Sequence, residues 1–164
     1  MGCDPAQIVL RPIRDSDLGF LRALYASTRA AEMALTGWPQ EAVDAFLAQQ
    51  FAAQHDWYMR EYAGARFDIV ECGGVPIGRL YVSYQPRDIR IVDIALLPEY
   101  RNRGIGGGLL RQLLDEGGAS GRSVSIHVEM FNPAQRLYRR LGFEQAGVNG
   151  PYLLLVWRPA QSAS

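Results

Sequence analysis

The chain has 164 residues, 48% of them hydrophobic, and its 17 Lys and Arg residues balance 17 Asp and Glu residues. That length and composition predict a single globular domain over residues 1–164 with one core. Zero net charge excludes a global field that would recruit nucleic acid or an anionic membrane, so neither is an expected partner.

The two cysteines, Cys3 and Cys72, predict no disulfide framework and no metal-ligand spacing, which fits a reducing compartment. The N-terminal segment contains Asp4 and Pro5 and lacks the apolar stretch of a signal peptide. No uninterrupted apolar run approaches membrane-spanning length. We therefore expect a cytoplasmic protein.

The first part of the chain predicts one strand followed by two helices. An apolar run favours a strand over residues 7–13. Apolar residues at helical spacing follow from Leu18, with Asp15 as the expected N-cap. Residues 37–39, which include a glycine and a proline, interrupt this pattern, and a second amphipathic helix is expected to continue to about residue 63.

Alternating apolar residues then predict three strands in succession. Gly73 and Gly74 are a tight hairpin signal between the first two strands, so we expect an antiparallel meander. The third strand is apolar on both faces, which predicts that it is covered on both sides and central in its sheet. The three strands are expected over residues 66–71, 75–84 and 89–97.

A basic, glycine-rich turn, Arg101-Asn102-Arg103-Gly104-Ile105-Gly106, leads into a helix predicted over about residues 102–116 and ended by the glycines from Gly117 onward. Glycines at a helix N-terminus leave several backbone N–H groups unobstructed. The helix dipole and two arginines add positive potential. This combination is typical of a phosphate or pyrophosphate site.

Two common phosphate loops are excluded by the residues that follow the glycines. A Walker P-loop needs Lys and then Ser or Thr, whereas Leu109 and Leu110 stand here. A dinucleotide fingerprint would need a third glycine at position 109, directly after a strand. Two interpretations of the turn remain: a third kind of phosphate loop, or a flexible turn with solvated arginines.

The last part of the chain predicts a strand, a short helix and two more strands. Asn132 and Pro133 open the helix, and Gly142 ends it. The strands are expected over residues 123–130, 143–148 and 152–157. The predicted order is β-α-α-β-β-β-α-β-α-β-β, an α+β (mixed α/β) fold.

Two motifs together resemble the GNAT N-acetyltransferase family. Residues 101–106 match its acyl-coenzyme A loop, Gln/Arg-x-x-Gly-x-Gly/Ala, at every position. Farther along, Leu137-Tyr138-x-x-x-Gly142-Phe143 matches the Leu-Tyr-x-x-x-Gly-Phe helix of the family. The resemblance covers about residues 8–157 and implies the GNAT fold, a central mixed sheet of six to seven strands flanked by four helices.

The resemblance also implies acetyl-coenzyme A as co-substrate and no metal. In the family, backbone N–H groups of the fourth strand hold the thioester carbonyl, and the glycine loop holds the pyrophosphate. Carried over to this sequence, the cofactor-binding positions are Ile94, Ala95, Leu96, Arg101, Asn102, Arg103, Gly104, Ile105, Gly106, Gly107, Asn132 and Tyr138.

Acyl transfer to an amine needs a polarised carbonyl, a neutral amine and a protonated leaving thiolate. The resemblance makes Tyr138 the candidate general acid, although a tyrosine on an apolar helix face can equally be a core residue. His127 is one candidate for the general base, and Asp93 and Glu129 are open alternatives. An amine that loses its proton to water needs no dedicated base.

Acceptor specificity is expected from the two N-terminal helices and the strand ends, with Trp38, Tyr81 and Tyr84 as candidate pocket residues. The acceptor is a small-molecule amine or a peptide or protein amine, and a homodimer is open. Our leading hypothesis is an acetyl-CoA-dependent N-acetyltransferase that works by direct attack in a ternary complex, because neither cysteine is paired with a base. A catalytically silent acyl-CoA-binding regulatory module is the alternative, and neutral charge disfavours a nucleotide- or nucleic-acid-binding domain.

Overall fold

The computed structural model describes residues 2–160, and its elements follow the predicted order. The helices are α1 (Leu18–Ala34), α2 (Gln40–Glu61), α3 (Ile105–Ser120) and α4 (Gln135–Arg140). The strands are β1 (Ile8–Pro12), β2 (Arg66–Cys72), β3 (Val75–Tyr84), β4 (Asp88–Leu96), β5 (Ser123–Glu129), β6 (Glu144–Asn149) and β7 (Tyr152–Trp157). Short 3₁₀ turns at Pro5–Gln7, Asp15–Asp17 and Pro98–Tyr100 precede β1, α1 and the loop before α3.

Seven strands form one mixed sheet in the order β1-β2-β3-β4-β5-β7-β6. β4 and β5 are parallel, whereas the pairs β1–β2, β5–β7 and β6–β7 are antiparallel. β4 is the middle strand, as its two apolar faces predict, and its Ile89 and Ile91 are almost completely buried. The predicted α+β fold, with four helices and a mixed sheet, is confirmed for the described residues.

The chain divides into two compact units, and the first contains the chain up to Leu80 together with Ala95–Arg101. Its apolar core joins one face of α1, one face of α2 and a residue of β2. Burial of apolar residues at helical spacing holds both helices against this core. The buried members are Leu21, Tyr25, Met33, Val43, Leu47, Phe51 and Ile69.

The second unit contains Tyr81–Ile94 and the chain from Asn102 onward. Here α3 packs against β5. Val124, Ile126 and Val128 of β5 are buried on one face of the strand, and alternation places Ser125, His127 and Glu129 on the other, where Ser125 is also buried but His127 and Glu129 are exposed. The buried face of α3 carries Ile105, Leu109, Leu110, Leu113 and Leu114.

The expected end of α3 at Gly117 is wrong, because the helix continues to Ser120 and is capped by Gly121 in the left-handed region. Gly117 is a packing residue instead. A Cβ built there would lie 2.8 Å from the Arg122 carbonyl oxygen and 3.1 Å from the Trp157 ring. The helix also begins at Ile105 rather than at residue 102, because Gly104 precedes it with a positive φ of 81°.

The expected N-cap at Asp15 is also wrong. Residues 15–17 form a 3₁₀ turn, and Asp17 is the residue directly before α1. The Asp17 carboxylate is buried and accepts two hydrogen bonds of 2.8 Å from Arg11 and one of 2.7 Å from the Arg14 N–H. The Arg11 hydrogen bond is the main reason that the pKa of Asp17 is lowered. The Asp17 side chain therefore forms an ion pair with Arg11 of β1 and does not cap α1.

The prediction that the two cysteines form no disulfide is wrong, because Cys3 and Cys72 are joined. Their Cα atoms are 6.0 Å apart, although 69 positions separate them in the sequence. Pairing of Ile8 with Cys72 in the β1–β2 ladder brings the N-terminal segment to the end of β2. The cytoplasmic location stays a prediction. Among the described residues, no helix combines the length and hydropathy needed to span a bilayer.

Gly117 and Gly118 provide a matched test of the packing at α3. We expect Gly117→Ala to destabilise the fold by about 1–3 kcal/mol, because its methyl group would overlap backbone and ring atoms. A Cβ at Gly118 has only Trp157 nearby, at 3.9 Å, so Gly118→Ala should stabilise the helix by up to about 1 kcal/mol. Urea unfolding of both variants measures this, and equal effects would contradict the assignment of Gly117 as a packing residue.

Reduction of the disulfide should lower the unfolding midpoint. The bridge closes a loop spanning 69 positions, and the chain-entropy model assigns about 4 kcal/mol to such a loop. Thermal unfolding with and without dithiothreitol measures the difference. The Cys3→Ser/Cys72→Ser double variant is the control, since its midpoint should not respond to the reductant. An unchanged midpoint in the unsubstituted protein would argue against the bridge.

Candidate active site

The glycine-rich turn forms an exposed connection into the N-terminus of α3. Arg101, Asn102, Arg103 and Gly104 are all exposed. Asn102 has a φ of 60°, a left-handed conformation that asparagine tolerates better than most residues. The φ of Gly104 is 81°, so this position favours glycine. The two conformations turn the chain from the 3₁₀ turn into the helix.

The N-terminus of α3 has the features of an anion site. Gly104 occupies the N-cap position, and no side chain in the described structure caps the helix there. The first regular helical bond of α3 runs from the Gly108 N–H to the Gly104 carbonyl, at 3.0 Å. N–H groups in the first turn of a helix point along its axis without helical partners. A phosphate group fits this position and the dipole of the helix.

Arg101 has structural contacts in addition to its position beside the loop. Its Nε donates to the Leu96 carbonyl at 2.9 Å, and one terminal nitrogen lies 3.4 Å from the Ser27 hydroxyl. It therefore ties the loop to the end of β4. Arg103 is exposed, and its charge adds to the positive potential at the start of α3.

β4 loses its parallel partner before it ends. Its ladder with β5 runs from the pair Asp88–Ser123 to the pair Ile91–Ile126, whereas β4 continues to Leu96. Backbone groups beyond Ile91 on the β5 side of β4 therefore lie outside that ladder. Ile94 belongs to this part of β4, but alternation from the Gln85–Asp88 hydrogen bond directs its own N–H and C=O toward β3. This is the part of β4 where the sequence predicts backbone contacts to the co-substrate.

The end of β4 also carries one more residue than its pairing with β3 requires. The turn between the strands is closed by a hydrogen bond from Gln85 N–H to the Asp88 carbonyl, at 2.9 Å. Counted back from this pair, Ile77 faces Leu96. The N–H that donates to the Ile77 carbonyl, at 2.8 Å, belongs to Leu97. The extra residue is a β-bulge.

Tyr138 is 4% exposed on α4, and its ring meets that of Phe143 edge to face, with centroids 5.6 Å apart. Burial, and then the charge of Asp93, raises the pKa of Tyr138 to about 12. The phenol therefore stays protonated at neutral pH and can act as a hydrogen-bond donor. The structure thus brings Asp93 and Tyr138 into electrostatic contact.

His127 belongs to a polar network that spans β4 and β5. The Asp88 carboxylate accepts hydrogen bonds from Ser123, at 2.8 Å, and from Ser125. Arg90 Nε donates to the Ser125 hydroxyl at 2.7 Å, and an Arg90 terminal nitrogen lies 3.1 Å from His127 Nδ1. Because arginine can only donate, Nδ1 is the acceptor and the neutral ring carries its proton on Nε2.

The network affects what His127 can do. Burial lowers the pKa of His127, and the charge of Arg90 lowers it further, so the ring is neutral at pH 7. Its second nitrogen is then a donor, and Nδ1 accepts a proton only when Arg90 withdraws. Glu129, the alternative base on the same face of β5, is exposed.

Asn132 is used locally in the turn before α4. Its side-chain oxygen accepts a hydrogen bond of 2.8 Å from the Ala134 N–H, and its carbonyl accepts one of 3.2 Å from the Gln135 N–H. The Gln135 side chain in turn donates to the Glu129 carbonyl at 3.2 Å. These bonds tie the start of α4 to the end of β5. A contact between Asn132 and the co-substrate stays a prediction.

The three aromatic candidates for the acceptor pocket differ in exposure. Trp38 is 49% exposed and lies edge to face against Phe46, at 5.6 Å between ring centroids. Tyr81 is completely buried and is a core residue in this structure. The Tyr84 hydroxyl donates to Glu116 at 2.8 Å, close to the far end of α3. A role of Trp38 or Tyr84 in an acceptor pocket stays a prediction.

Arg90 and the bulge in β4 were missed by the sequence analysis. The alternation of Asp88 and Arg90 on a central strand was the available signal for the polar network, because it matches the alternation of Ser125 and His127 on β5. The bulge has no local sequence signal, since its side chains are ordinary apolar residues. Within residues 2–160, no group of three or more His, Cys, Asp or Glu side chains is arranged to hold a metal ion.

Residues 21–143 match the sequence model of the acetyltransferase (GNAT) family. The chain belongs to the GNAT family. This match covers the glycine loop, β5 and the Leu-Tyr-x-x-x-Gly-Phe helix, so the resemblance inferred from the two motifs is confirmed.

Three curated proteins are similar in sequence. The N-alpha-acetyltransferase RimI of Mycobacterium tuberculosis is 34% identical over 116 residues, which are 70% of this chain and 66% of that protein. A putative [ribosomal protein bS18]-alanine N-acetyltransferase of Bacillus subtilis is 32% identical over 104 residues, 57% of this chain and 68% of that protein. An uncharacterized protein of Mycobacterium leprae, ML0378, is 33% identical over 115 residues, 70% of this chain but only 29% of that protein.

Solved structures of N-acetyltransferases share the fold. The PaiA N-acetyltransferase of Thermoplasma acidophilum, solved in complex with coenzyme A, superposes with a TM-score of 0.69 over 92% of this chain and 98% of its own, at 16% identity. The ribosomal-protein-S18-alanine N-acetyltransferase of Escherichia coli superposes with a TM-score of 0.60 over 95% and 96% of the two chains, at 18% identity.

The Arg90–His127 contact predicts the titration of His127. The chain has two histidines, so NMR titration of His55→Gln protein reports His127 directly. We expect its pKa below the ordinary 6.5, and Arg90→Gln should raise it because a cation no longer opposes protonation. Because the folded protein binds this proton less readily than the unfolded chain does, its free energy of unfolding should decrease as the pH falls below about 6.5. An unchanged pKa in Arg90→Gln would contradict the contact.

Proposed function

We propose that this chain is an acetyl-CoA-dependent N-acetyltransferase that transfers the acetyl group to an amine by direct attack in a ternary complex. The observation that carries the proposal is the end of β4, where a strand released from its parallel partner leads into a glycine-capped helix N-terminus. Backbone N–H groups on the strand and in the first turn of the helix suit a thioester carbonyl and a pyrophosphate, respectively.

The proposed backbone contacts belong to two segments. Ile94, Ala95 and Leu96 lie at the end of β4 beyond its ladder with β5, where the peptide between Ala95 and Leu96 offers backbone groups, and Ile105, Gly106 and Gly107 offer those of the first turn of α3. Acetyl-CoA supplies an activated acyl group when it is bound. The residues of this chain orient that group and hold the protons.

A route through a cysteine acyl-enzyme has no support. Both cysteines of the chain form the Cys3–Cys72 disulfide, which leaves no cysteine thiolate to act as a nucleophile. Direct attack by the acceptor amine requires no covalent intermediate on the protein. The cysteine pairing therefore favours a ternary complex.

In this proposal Tyr138 holds a proton at its phenol oxygen for the leaving thiolate. A phenol of pKa about 12 is a weaker acid than a thiol of pKa about 8.5, so complete transfer is uphill by roughly 5 kcal/mol in the surroundings seen here. Tyr138 therefore acts by a hydrogen bond that strengthens as charge develops on sulfur, and its proton moves late.

His127 is proposed to face the acceptor as a neutral hydrogen-bond donor, with Arg90 holding its Nδ1. It lies on β5 directly after Ile126, the last residue paired with β4. That position is beside the unpaired part of the strand. A base role for His127 would require Arg90 to move, so the amine is proposed to lose its proton to water.

We further propose that the acceptor is the α-amino group of a protein N-terminus. Two curated relatives carry names that specify such an amine, N-alpha and ribosomal-protein alanine. The connection from α1 to α2 exposes Leu35, at 89%, and Trp38, at 49%, and Phe46 of α2 is exposed beside them at 38%. A peptide can cover such a surface, whereas a small polyamine offers little apolar area in return.

A thiol-release assay tests the function and the acceptor together. The panel contains peptides with free N-termini, the same peptides with formylated N-termini and one internal lysine, and spermidine. We expect release of coenzyme A only with the free α-amines. Turnover restricted to lysine or spermidine would overturn the acceptor. Saturable acetyl-CoA binding without any turnover would favour the silent module, and absence of binding would overturn the whole proposal.

Tyr138→Phe should lower kcat by about 10²-fold or more and leave the KM for acetyl-CoA nearly unchanged, because the phenol acts on the leaving group and not on binding. Steady-state kinetics with an accepted peptide measure this. Tyr84→Phe is the matched control, since it removes a phenol that donates to Glu116, in the half of α3 that is farther from the glycine loop. Equal kcat values for Tyr138→Phe and the unsubstituted protein would contradict the acid role.

A further inference from the structure

Gly78 lies in β3 at the point where the backbone of β4 comes closest. A Cβ built at Gly78 would lie 2.7 Å from Leu96 Cδ2 and 3.2 Å from Leu96 Cα, and closer still to the Ala95 carbonyl oxygen. The residue is buried, and two of these three neighbours are backbone atoms that cannot rotate aside. The observed approach of the strands therefore requires glycine here.

The direction of this contact shows how the peptide between Ala95 and Leu96 is turned. In a regular ladder the carbonyls lie in the plane of the sheet, whereas β carbons point out of it. A carbonyl that meets the Cβ position of Gly78 has left that plane toward β3. Because the C=O and N–H of a trans peptide point in opposite directions, the Leu96 N–H points away from β3.

The hydrogen bonds around this peptide agree with such a turn. The Ile77 carbonyl receives its bond from the Leu97 N–H, at 2.8 Å, where a regular register would use Leu96. On the other side, Arg101 Nε donates to the Leu96 carbonyl at 2.9 Å. Both bonds fix the backbone that flanks the turned peptide, and the missing side chain of Gly78 gives it room.

We propose that Gly78 is a positioning residue for the acyl-CoA site. Its lack of a side chain allows the Ala95–Leu96 peptide to turn, so that the Leu96 N–H leaves the β3 ladder and donates to the acyl-pantetheine part of acetyl-CoA. The inference rests on the proposed function and extends it to a residue of β3 that carries no functional group. The proposal also predicts that a change at Gly78 affects binding of the acyl-pantetheine arm and leaves binding of the pyrophosphate unaffected. The helix N-terminus that suits the pyrophosphate does not involve Gly78.

Calorimetric titration of Gly78→Ala with two probes tests this separation. Acetyl-CoA contains the acyl-pantetheine arm, and adenosine 3′,5′-bisphosphate lacks it. We expect the Kd for acetyl-CoA to rise by about tenfold or more, while the Kd for adenosine 3′,5′-bisphosphate stays within about twofold. The matched control is Gly147→Ala in β6, where an added Cβ meets only Leu154, at an ordinary 3.9 Å, and both affinities should be unchanged.

The outcomes are distinct. If the unsubstituted protein does not bind acetyl-CoA, the proposed function fails. If the unsubstituted protein binds acetyl-CoA, two results overturn the positioning role. One is that Gly78→Ala binds each probe with the same Kd as the unsubstituted protein. The other is that the substitution raises the Kd values of both probes by the same factor. Should Gly78→Ala not fold, amide hydrogen exchange in the unsubstituted protein decides. We expect the Leu96 amide to exchange freely without ligand and to become protected by acetyl-CoA, and protection already present without ligand would overturn the inference.

Discussion

Hydrogen bonding along β4 is the constraint on which the proposed site depends. At its start the strand is held by a parallel ladder to β5 that ends at the pair Ile91–Ile126. Beyond that pair the strand needs other partners, because unpaired backbone groups are costly away from water. The bulge, the Arg101 guanidinium and the co-substrate that we propose each supply some of them. We therefore propose that the end of β4, where this pairing is incomplete, is the part of the strand that binds the co-substrate.

The parts of the fold that the sequence predicted are those with local signals. Helical periodicity and the Gly73-Gly74 hairpin established the element order, and the two apolar faces of β4 placed it in the middle of the sheet. The glycine loop and the Tyr138 helix were recognisable because each has a fixed spacing of unusual residues. These signals sufficed for the family. They did not reach the contacts that hold the loop, such as the Arg101 bond to the Leu96 carbonyl.

The incorrect predictions share a cause, which is that one residue type can serve two physical purposes. Gly117 looked like a helix stop, but its small size is needed where α3 packs against the Trp157 ring. Asp15 looked like a cap, but the buried Asp17 is the acid that the arginines hold. Cys3 and Cys72 looked unrelated because only β1–β2 pairing brings them together. In each case the deciding neighbour is distant in sequence or belongs to another element.

The Cys3–Cys72 bridge makes the chain between them a covalent ring. That ring contains β1, α1, α2 and all of β2, and with them the exposed connection that carries Leu35 and Trp38. A protease that cuts this connection would open the ring without releasing a fragment, so the nicked chain would migrate as one species until it is reduced. The segment that we propose to select the acceptor can thus be cut while both of its ends stay attached to the rest of the protein.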